Sequence, residues 1–406
     1  MKRIFSLVLC TLLLISACRF PACAEALPVS SGGGEVSVYD PLGEDLLAAA
    51  EALKLDAVSA ILMEEKTGTV LYEYNADAVL PPASVTKIMT LLLVMEAIDA
   101  GTVHLDDTVT VSAYAASMGG SQVFLEEGEE MPLEDLLKSV VIASANDAAV
   151  ALAEHVAGSE EAFVARMNAR AAELGAVTAR FENTNGLDDT AKDHVMSARD
   201  IAILSRALIA HEVILKYSSI WMDTIRDGAF GLTNTNRLVR FYRGCTGLKT
   251  GSTSKAGFCV SVTAERDGLS LICVIMGAET RDSRNASATK LLDFGFANFA
   301  AAEIPAGSAD PVRVTGGTEN LCPVSYPAFA AVLPKSEMGG LRYEITQKDS
   351  VAAPVAEGDV LGEIVYYSGD RELGRAPVTA EREIPRIGYL EVLLRMLRAF
   401  CLCRSE

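Results

Sequence analysis

The chain has 406 residues, half of them hydrophobic, which is enough for two or three domains with their own cores and excludes a disordered or low-complexity protein. Asp and Glu number 54 against 35 Lys and Arg, a net charge of −19, so clustered basic surface for phosphate contacts is lacking and general nucleic-acid binding is excluded. No segment repeats with a period of roughly 20–50 residues, which sets aside solenoids and propellers.

Lys2 and Arg3, an apolar run over residues 4–17 and the small residues Ala22-Cys23-Ala24 come in the order of a signal peptide, predicted over residues 1–24. Ile15-Ser16-Ala17-Cys18 also reads as a lipid-attachment box with Cys18 as the acylated residue, and both readings imply export. Residues 25–45 are Gly/Ser-rich and are predicted to be a linker. Residues 57–74 predict a strand, a turn at Lys66-Thr67-Gly68 and a second strand. After Pro81-Pro82, the spacing of Ile88, Leu91, Leu92 and Met95 predicts a helix. Further helices are predicted at 133–143, 146–157, 159–174 and 199–210, and strands return between 247 and 277.

A helix near 286–299 closes this first domain, set at residues 46–303. Its order of elements predicts an α/β (α+β) architecture, an antiparallel sheet with a packed helix and a helical lobe beside it. The stretch 305–310 marks a boundary, and short alternating runs predict a small all-β domain over 304–383.

The last segment, 384–406, holds an amphipathic helix over 387–402. Glu391, Arg395 and Arg398 form one polar stripe, and Leu390, Val392, Leu393, Leu394, Met396, Leu397, Phe400 and Leu402 make up most of the rest. Sixteen residues are short for a span. Two readings stay open, a helix lying in a membrane surface and a helix docked on the protein's own core.

Cys245, Cys259, Cys273, Cys322, Cys401 and Cys403 follow the signal, with no CxxC spacing. A two-residue turn at Asp267-Gly268 sets Arg266 against Leu269 and Cys273 against Val262. Cys259 then points to the opposite face, so no disulfide joins it to Cys273, and these cysteines read as small core residues.

The four histidines, at 104, 155, 194 and 211, form no HxH or HExxH, and no GxSxG occurs, so neither metal chemistry nor a Ser-His-Asp elbow is supported. Ser-x-x-Lys occurs three times, at Ser84–Lys87, Ser252–Lys255 and Ser287–Lys290. Only Ser84 follows a proline pair and opens a strong helix, which puts its hydroxyl near the positive end of the helix dipole and Lys87 on the same face. A lysine whose pKa is lowered by burial or by another cation can deprotonate such a serine. Ser144-Ala145-Asn146 lies between two predicted helices, and Lys249-Thr250-Gly251, the single Lys-Thr-Gly, is placed at the start of a strand. A Gly at a strand edge admits close approach of a substrate backbone, and Lys249 supplies charge for an anionic group.

The ordered set SxxK, SxN, KTG is the signature of penicillin-binding proteins and serine β-lactamases. The chain resembles the low-molecular-mass penicillin-binding proteins that act as D-alanyl-D-alanine carboxypeptidases, closely over residues 38–300 and nearest their Gram-positive, sporulation-associated branch. Residues 82–90 resemble the family's nucleophile helix. Asn185-Gly-Leu-Asp188, with His194 and Ser197-Ala-Arg-Asp200, resembles its mid-domain segment, and Asn234-Thr-Asn-Arg-Leu238 leading to residues 247–251 resembles its third motif.

The resemblance implies a penicillin-binding/serine β-lactamase-like transpeptidase fold with a terminal anchor. It implies Ser84 as the acylated nucleophile, Lys87 as its base, and Ser144 and Asn146 as completing the proton relay and holding the substrate amide. Lys249 and Thr250 would hold the terminal carboxylate, Lys249 would also help keep Lys87 neutral, and the amides of Ser84 and Ser252 would form the oxyanion hole beside Gly251. No metal or organic cofactor is implied. The implied partners are peptidoglycan stem peptides ending in D-Ala-D-Ala, β-lactam antibiotics and, through 387–402, the outer face of the cytoplasmic membrane. Ser252 stands where many members carry His or Tyr, and Arg281 and Arg284 are the candidates for an arginine on the carboxylate. The competing functions are a serine β-lactamase, for which no Glu-x-x-x-Asn element stands between Ser144 and Lys249, and a non-catalytic wall-binding protein of the same fold.

Overall fold

In the computed structural model, residues 36–38, 44–188 and 191–402 are described, so the predicted signal peptide and Cys18 lie outside the described residues. Six antiparallel strands form the central sheet, in the order Val36–Val38, Val70–Tyr74, Ser59–Glu64, Leu269–Ala278, Gly257–Arg266 and Cys245–Thr253. Its middle strands are apolar on both faces because both faces are covered. Ile61, Met63, Ile272, Val274 and Met276 pack under the helical lobe, and Leu62, Leu271, Cys273 and Ile275 pack under the helix Arg281–Asn298. The hairpin closes in the predicted register, with Leu269 opposite Arg266 and Cys273 opposite Val262. Cys259 belongs to the lobe-side core and Cys273 to the other, and both thiols are free.

The lobe is built from the helices Lys87–Asp99, Leu133–Ile142, Asn146–Ala157, Glu160–Leu174 and Ala198–Ile209, the last four within two residues of their predicted bounds. Two expectations shift. The stretch read as linker contains the edge strand Val36–Val38, paired with Val70–Tyr74, and a helix starting at Glu44, because the sheet edge supplies partners that a Gly-rich composition does not reveal. The closing helix starts at Arg281, five residues before the predicted start near 286. There Thr280 and Ser283 form a capping box that satisfies the first amides without any apolar residue.

The C-terminal unit is all-β. Its six-stranded sheet runs Leu341–Gln347, Val360–Ser368, Arg371–Ala380, Leu321–Tyr326, Gly307–Thr315, Ser350–Ala352 around Val324, Leu361, Ile364, Tyr366, Val378 and Ile384. A separate ribbon, Phe299–Ile304 against Phe329–Pro334, crosses the predicted boundary at 303/304 and leads out of the closing helix. Ile384 is buried in this core and bridges Val355, so the segment 384–406 does not leave the β unit at once. Its helix is Tyr389–Leu402, with Leu390 and Phe400 68% and 75% exposed. Among the described residues, no helix is long and apolar enough to cross a membrane.

Candidate active site

Ser84 sits in a single 3-10 turn, Ala83–Thr86, that runs directly into the helix Lys87–Asp99. The turn starts with Ala83 at φ +50, a left-handed backbone that costs an L-residue on the order of 1–2 kcal/mol. Ser84 is half-buried and faces a cleft of about 330 Å³, bordered by Ser144, Trp221, Thr235, Thr250, Gly251 and Ser252 and by three arginines, Arg237, Arg281 and Arg284.

Lys87 lies one turn on and is fully buried. Its Nζ is 3.0 Å from Ser84 Oγ, 2.6 Å from Asn146 Oδ1 and 2.8 Å from the Asn185 carbonyl. The last two oxygens can only accept. When the amine is neutral, its two N–H groups go to them and its lone pair is left facing the Ser84 hydroxyl. Burial, and after it the charge of Lys249, lowers the Lys87 pKa well below the ordinary 10.5. Both causes expected from the sequence act here, and desolvation is the larger.

Ser144 follows the helix Leu133–Ile142, and Asn146 opens the next one. Ser144 has φ +62, which turns its side chain toward the opposite wall of the cleft. That wall is the strand Cys245–Thr253, at the free edge of the sheet. The Lys-Thr-Gly run occupies the middle of this strand and not its start, since Cys245 already pairs with Ala264. Lys249, also buried, donates to Ser144 Oγ at 2.8 Å and to the Thr250 carbonyl at 2.9 Å. Burial and then Arg284 bring its pKa down to about 7. Thr250 is bonded to Thr235 through their hydroxyls at 2.8 Å. At Gly251 any Cβ would come within 2.8 Å of the Pro82 carbonyl and the Ser84 amide, so only glycine lets the strand lie against the nucleophile turn.

Arg284 is buried in the cleft wall, donating to the Cys259 carbonyl and to Asn285 Oδ1, and no carboxylate lies within ion-pair distance of it among the described residues. Arg284 stands close enough to Lys249 for its charge to act on the amine, and neither has a carboxylate within ion-pair distance among the described residues, an arrangement that suits an incoming carboxylate.

All eight residues singled out from the motifs meet in or behind this cleft. Of the competing Ser-x-x-Lys runs, Ser252 borders the cleft but its lysine points elsewhere, and Ser287 lies away from it. The amine of Lys255 reaches the Asp188 carbonyl, and Ser287 is tied to the backbone of Asp56 beneath the sheet. Sequence reasoning assigned no role to Arg237, Thr235 or the Asn185 carbonyl. Arg237 and Thr235 lay inside the quoted third motif, whereas a carbonyl ligand leaves no trace in side-chain identity.

Residues 47–280 match the peptidase family described as D-alanyl-D-alanine carboxypeptidase, and residues 309–386 match the family described as penicillin-binding protein 5, C-terminal domain. The D-alanyl-D-alanine carboxypeptidase DacF of Bacillus subtilis (strain 168) is 41% identical over 349 residues, 84% of this chain and 89% of the relative. Penicillin binding protein 5 from Haemophilus influenzae superposes with a TM-score of 0.72 at 30% identity, covering 82% of this chain and 98% of that one. Penicillin-binding protein D2 from Listeria monocytogenes, solved in an ampicillin-bound form, is 34% identical with a TM-score of 0.56 over 60% of this chain and 99% of its own. With more than half its length in one family's match and a Gram-positive relative sharing two residues in five, the chain belongs to the D-alanyl-D-alanine carboxypeptidases, serine hydrolases of cell-wall biogenesis within the penicillin-binding proteins.

Proposed function

We propose that Ser84 is the nucleophile of this carboxypeptidase and Lys87 its base, acting on stem peptides that end in D-Ala-D-Ala. One observation carries the reading: a buried amine whose acceptor-only neighbours leave its lone pair for the Ser84 hydroxyl 3.0 Å away. Ser84 Oγ attacks the carbonyl carbon of the penultimate D-Ala and its proton passes to Lys87. The amides of Ser84 and Ser252 take the charge that develops on the carbonyl oxygen. The departing amine of the terminal D-Ala receives that proton from Lys87 by way of Ser144, whose hydroxyl accepts from Lys249. Water then cleaves the ester and restores Ser84. Asn146 fixes the Lys87 amine through Oδ1, while its Nδ2 is spent on the Gly119 carbonyl at 2.7 Å. Lys249, Thr250 and Arg284 receive the terminal carboxylate. Penicillin enters the same cleft, because its reactive amide and carboxylate stand in the same relation; the ampicillin-bound Listeria protein supports this.

Mass spectrometry of the penicillin-treated protein will find the adduct on the peptide containing Ser84; an adduct on Ser252 or Ser287 would overturn the assignment.

Lys249→Gln removes a cation beside Lys87, so the Lys87 pKa rises toward its ordinary value. A base must be neutral to act, so the pH at which acylation reaches half its maximum moves upward. The shift is partial, since burial remains. The carboxylate loses a charge-assisted bond as well, and acylation falls by roughly 10–100-fold. Acylation rates measured across pH read both effects, and an unchanged profile would remove Lys249 from this role.

We further propose that the protein is exported and works at the outer face of the cytoplasmic membrane. The order of basic, apolar and small residues over 1–24 and the exposed apolar helix Tyr389–Leu402 support this.

A further inference from the structure

His194 belongs to a motif for which the reaction above has no use, yet it is buried beneath the nucleophile turn. Its Nε2 lies 2.7 Å from Thr86 Oγ1, and Thr86 Oγ1 lies 2.8 Å from the Ala83 carbonyl. On the other side of the ring, Nδ1 is 3.1 Å from the Glu182 amide nitrogen. These contacts fix every proton. The Ala83 carbonyl only accepts, so the Thr86 hydroxyl donates to it and must accept from Nε2–H. The Glu182 amide only donates, so Nδ1 accepts. The imidazole is therefore neutral and carries its proton on Nε2. A second proton at Nδ1 would set two donors face to face, and burial pushes the His194 pKa down to about 4. Glu182 and Glu160 favour the charged ring and Lys87 opposes it, while Phe181 packs edge-on against the ring at 5.8 Å.

The chain ends on the residue that most needs holding. Ala83 keeps φ +50, and its carbonyl accepts from Thr86 on one side and is packed against Gly186 on the other. Gly186 has φ +83, and a Cβ there would fall 1.9 Å from that carbonyl oxygen. The peptide plane of Ala83 also carries the Ser84 amide. If Ala83 relaxed toward an ordinary backbone, the nucleophile and one proposed oxyanion donor would move together.

We infer that His194 is a positioning residue for the reaction: through Thr86 it holds the Ala83 carbonyl and so aims both the hydroxyl and the amide of Ser84. The inference rests on Ser84 being the nucleophile. His194 touches neither substrate nor reacting atoms and acts through a bond that one methyl-for-hydroxyl exchange removes.

The test uses the full chain and reads penicillin acylation at Ser84 together with kcat and KM on an acyl-D-Ala-D-Ala peptide. Thr86→Val keeps shape and loses the link. Acylation and kcat should fall by roughly 30–100-fold, the effect of displacing a reacting group by about 1 Å. KM should change by less than about threefold, because Lys249 and Thr250 belong to another element. Thr86→Ser restores the hydroxyl and should recover at least a third of the rate. His194→Phe keeps the packing on Phe181 without the donor and should match Thr86→Val, and the double variant should lose no more than either single one. If Thr86→Val does not fold, His194→Phe reads the same link. The inference is overturned by a Thr86→Val or His194→Phe rate within threefold of the unaltered protein, by Thr86→Ser falling as far as Thr86→Val, or by losses that multiply in the double variant. Absence of an adduct on Ser84 in the unaltered protein would instead remove the nucleophile assignment beneath it.

Discussion

Lys87→Met will lose about 10³-fold in penicillin acylation and in peptide hydrolysis, the contribution of a positioned general base, and it will change how stability depends on pH. In the folded protein the Lys87 pKa lies well below 10.5, mainly through burial. Between that lowered value and 10.5 the unfolded chain binds a proton that the folded one does not, so stability rises with pH across this window. Below the window both states are protonated and the folded state bears the full cost of a buried ammonium; above it the cost is gone. Lys249 adds a slope of the same sign between about 7 and 10.5.

Methionine has no proton to exchange, so the stability of the unaltered protein relative to Lys87→Met should climb with pH, at most by about 1.4 kcal/mol per unit. The variant also orphans Asn146 Oδ1 and the Asn185 carbonyl, at roughly 1–3 kcal/mol each. That cost hardly depends on pH, so urea unfolding at several pH values separates the two effects. A stability difference flat in pH would mean that folding does not deprotonate Lys87. Acylation within tenfold of the unaltered protein would mean that it is not the base.

The site was legible because its residues are tied to backbone rules as well as to chemistry. Ser84 after a proline pair, Asn146 at a helix start and Gly251 in an edge strand each announce a local geometry that sequence can express. The hairpin was legible down to single pairs, Cys273 opposite Val262, since a two-residue turn fixes register and a period of two fixes the face. Where pattern reading fell short, tertiary contacts decide. Val36–Val38 is a strand because Val70–Tyr74 offers a free edge. The helix Arg281–Asn298 begins in polar residues that a capping box satisfies. Lys87 owes its lowered pKa mostly to burial, which is set by the lobe and the Asn185 loop, far along the chain. His194 shows the limit most plainly: as one buried histidine near Phe181 it reads as core, and only the donor–acceptor sequence from Glu182 to Ala83 gives it work.

The second large effect concerns the C-terminal helix, and its test needs a cut beyond the predicted domain boundary at 383/384. Truncation at Glu383 would remove Ile384, which is buried in the β core, together with the bonds from the Ile387 amide to the Gly316 carbonyl and from the Thr318 amide to the Pro385 carbonyl. A chain ending at Gly388 keeps all three and loses only Tyr389–Leu402 and the last four residues. From Tyr389 to Arg398 every residue of that helix is exposed, including Leu390, Leu393, Leu394, Met396 and Leu397, and Phe400 beyond them is exposed as well. Arg395 holds the helix to its own unit through the Thr318 carbonyl and lies 3.4 Å from Glu391.

On the proposed attachment, at roughly 1 kcal/mol or more per large apolar side chain entering the interface, the helix would contribute several kcal/mol of membrane affinity. Arg398 and Arg395 add about 1 kcal/mol each on anionic lipid. Removing the helix should therefore cut vesicle binding by 10³-fold or more on anionic vesicles, while hydrolysis of a soluble acyl-D-Ala-D-Ala peptide stays within about twofold, since the cleft around Ser84 makes no use of it. Co-sedimentation with anionic and zwitterionic vesicles, run beside the peptide assay, decides the matter. Binding that survives the cut would assign attachment to a lipidated Cys18 or another surface, and a truncated chain that fails to fold would show that the helix packs on its own protein.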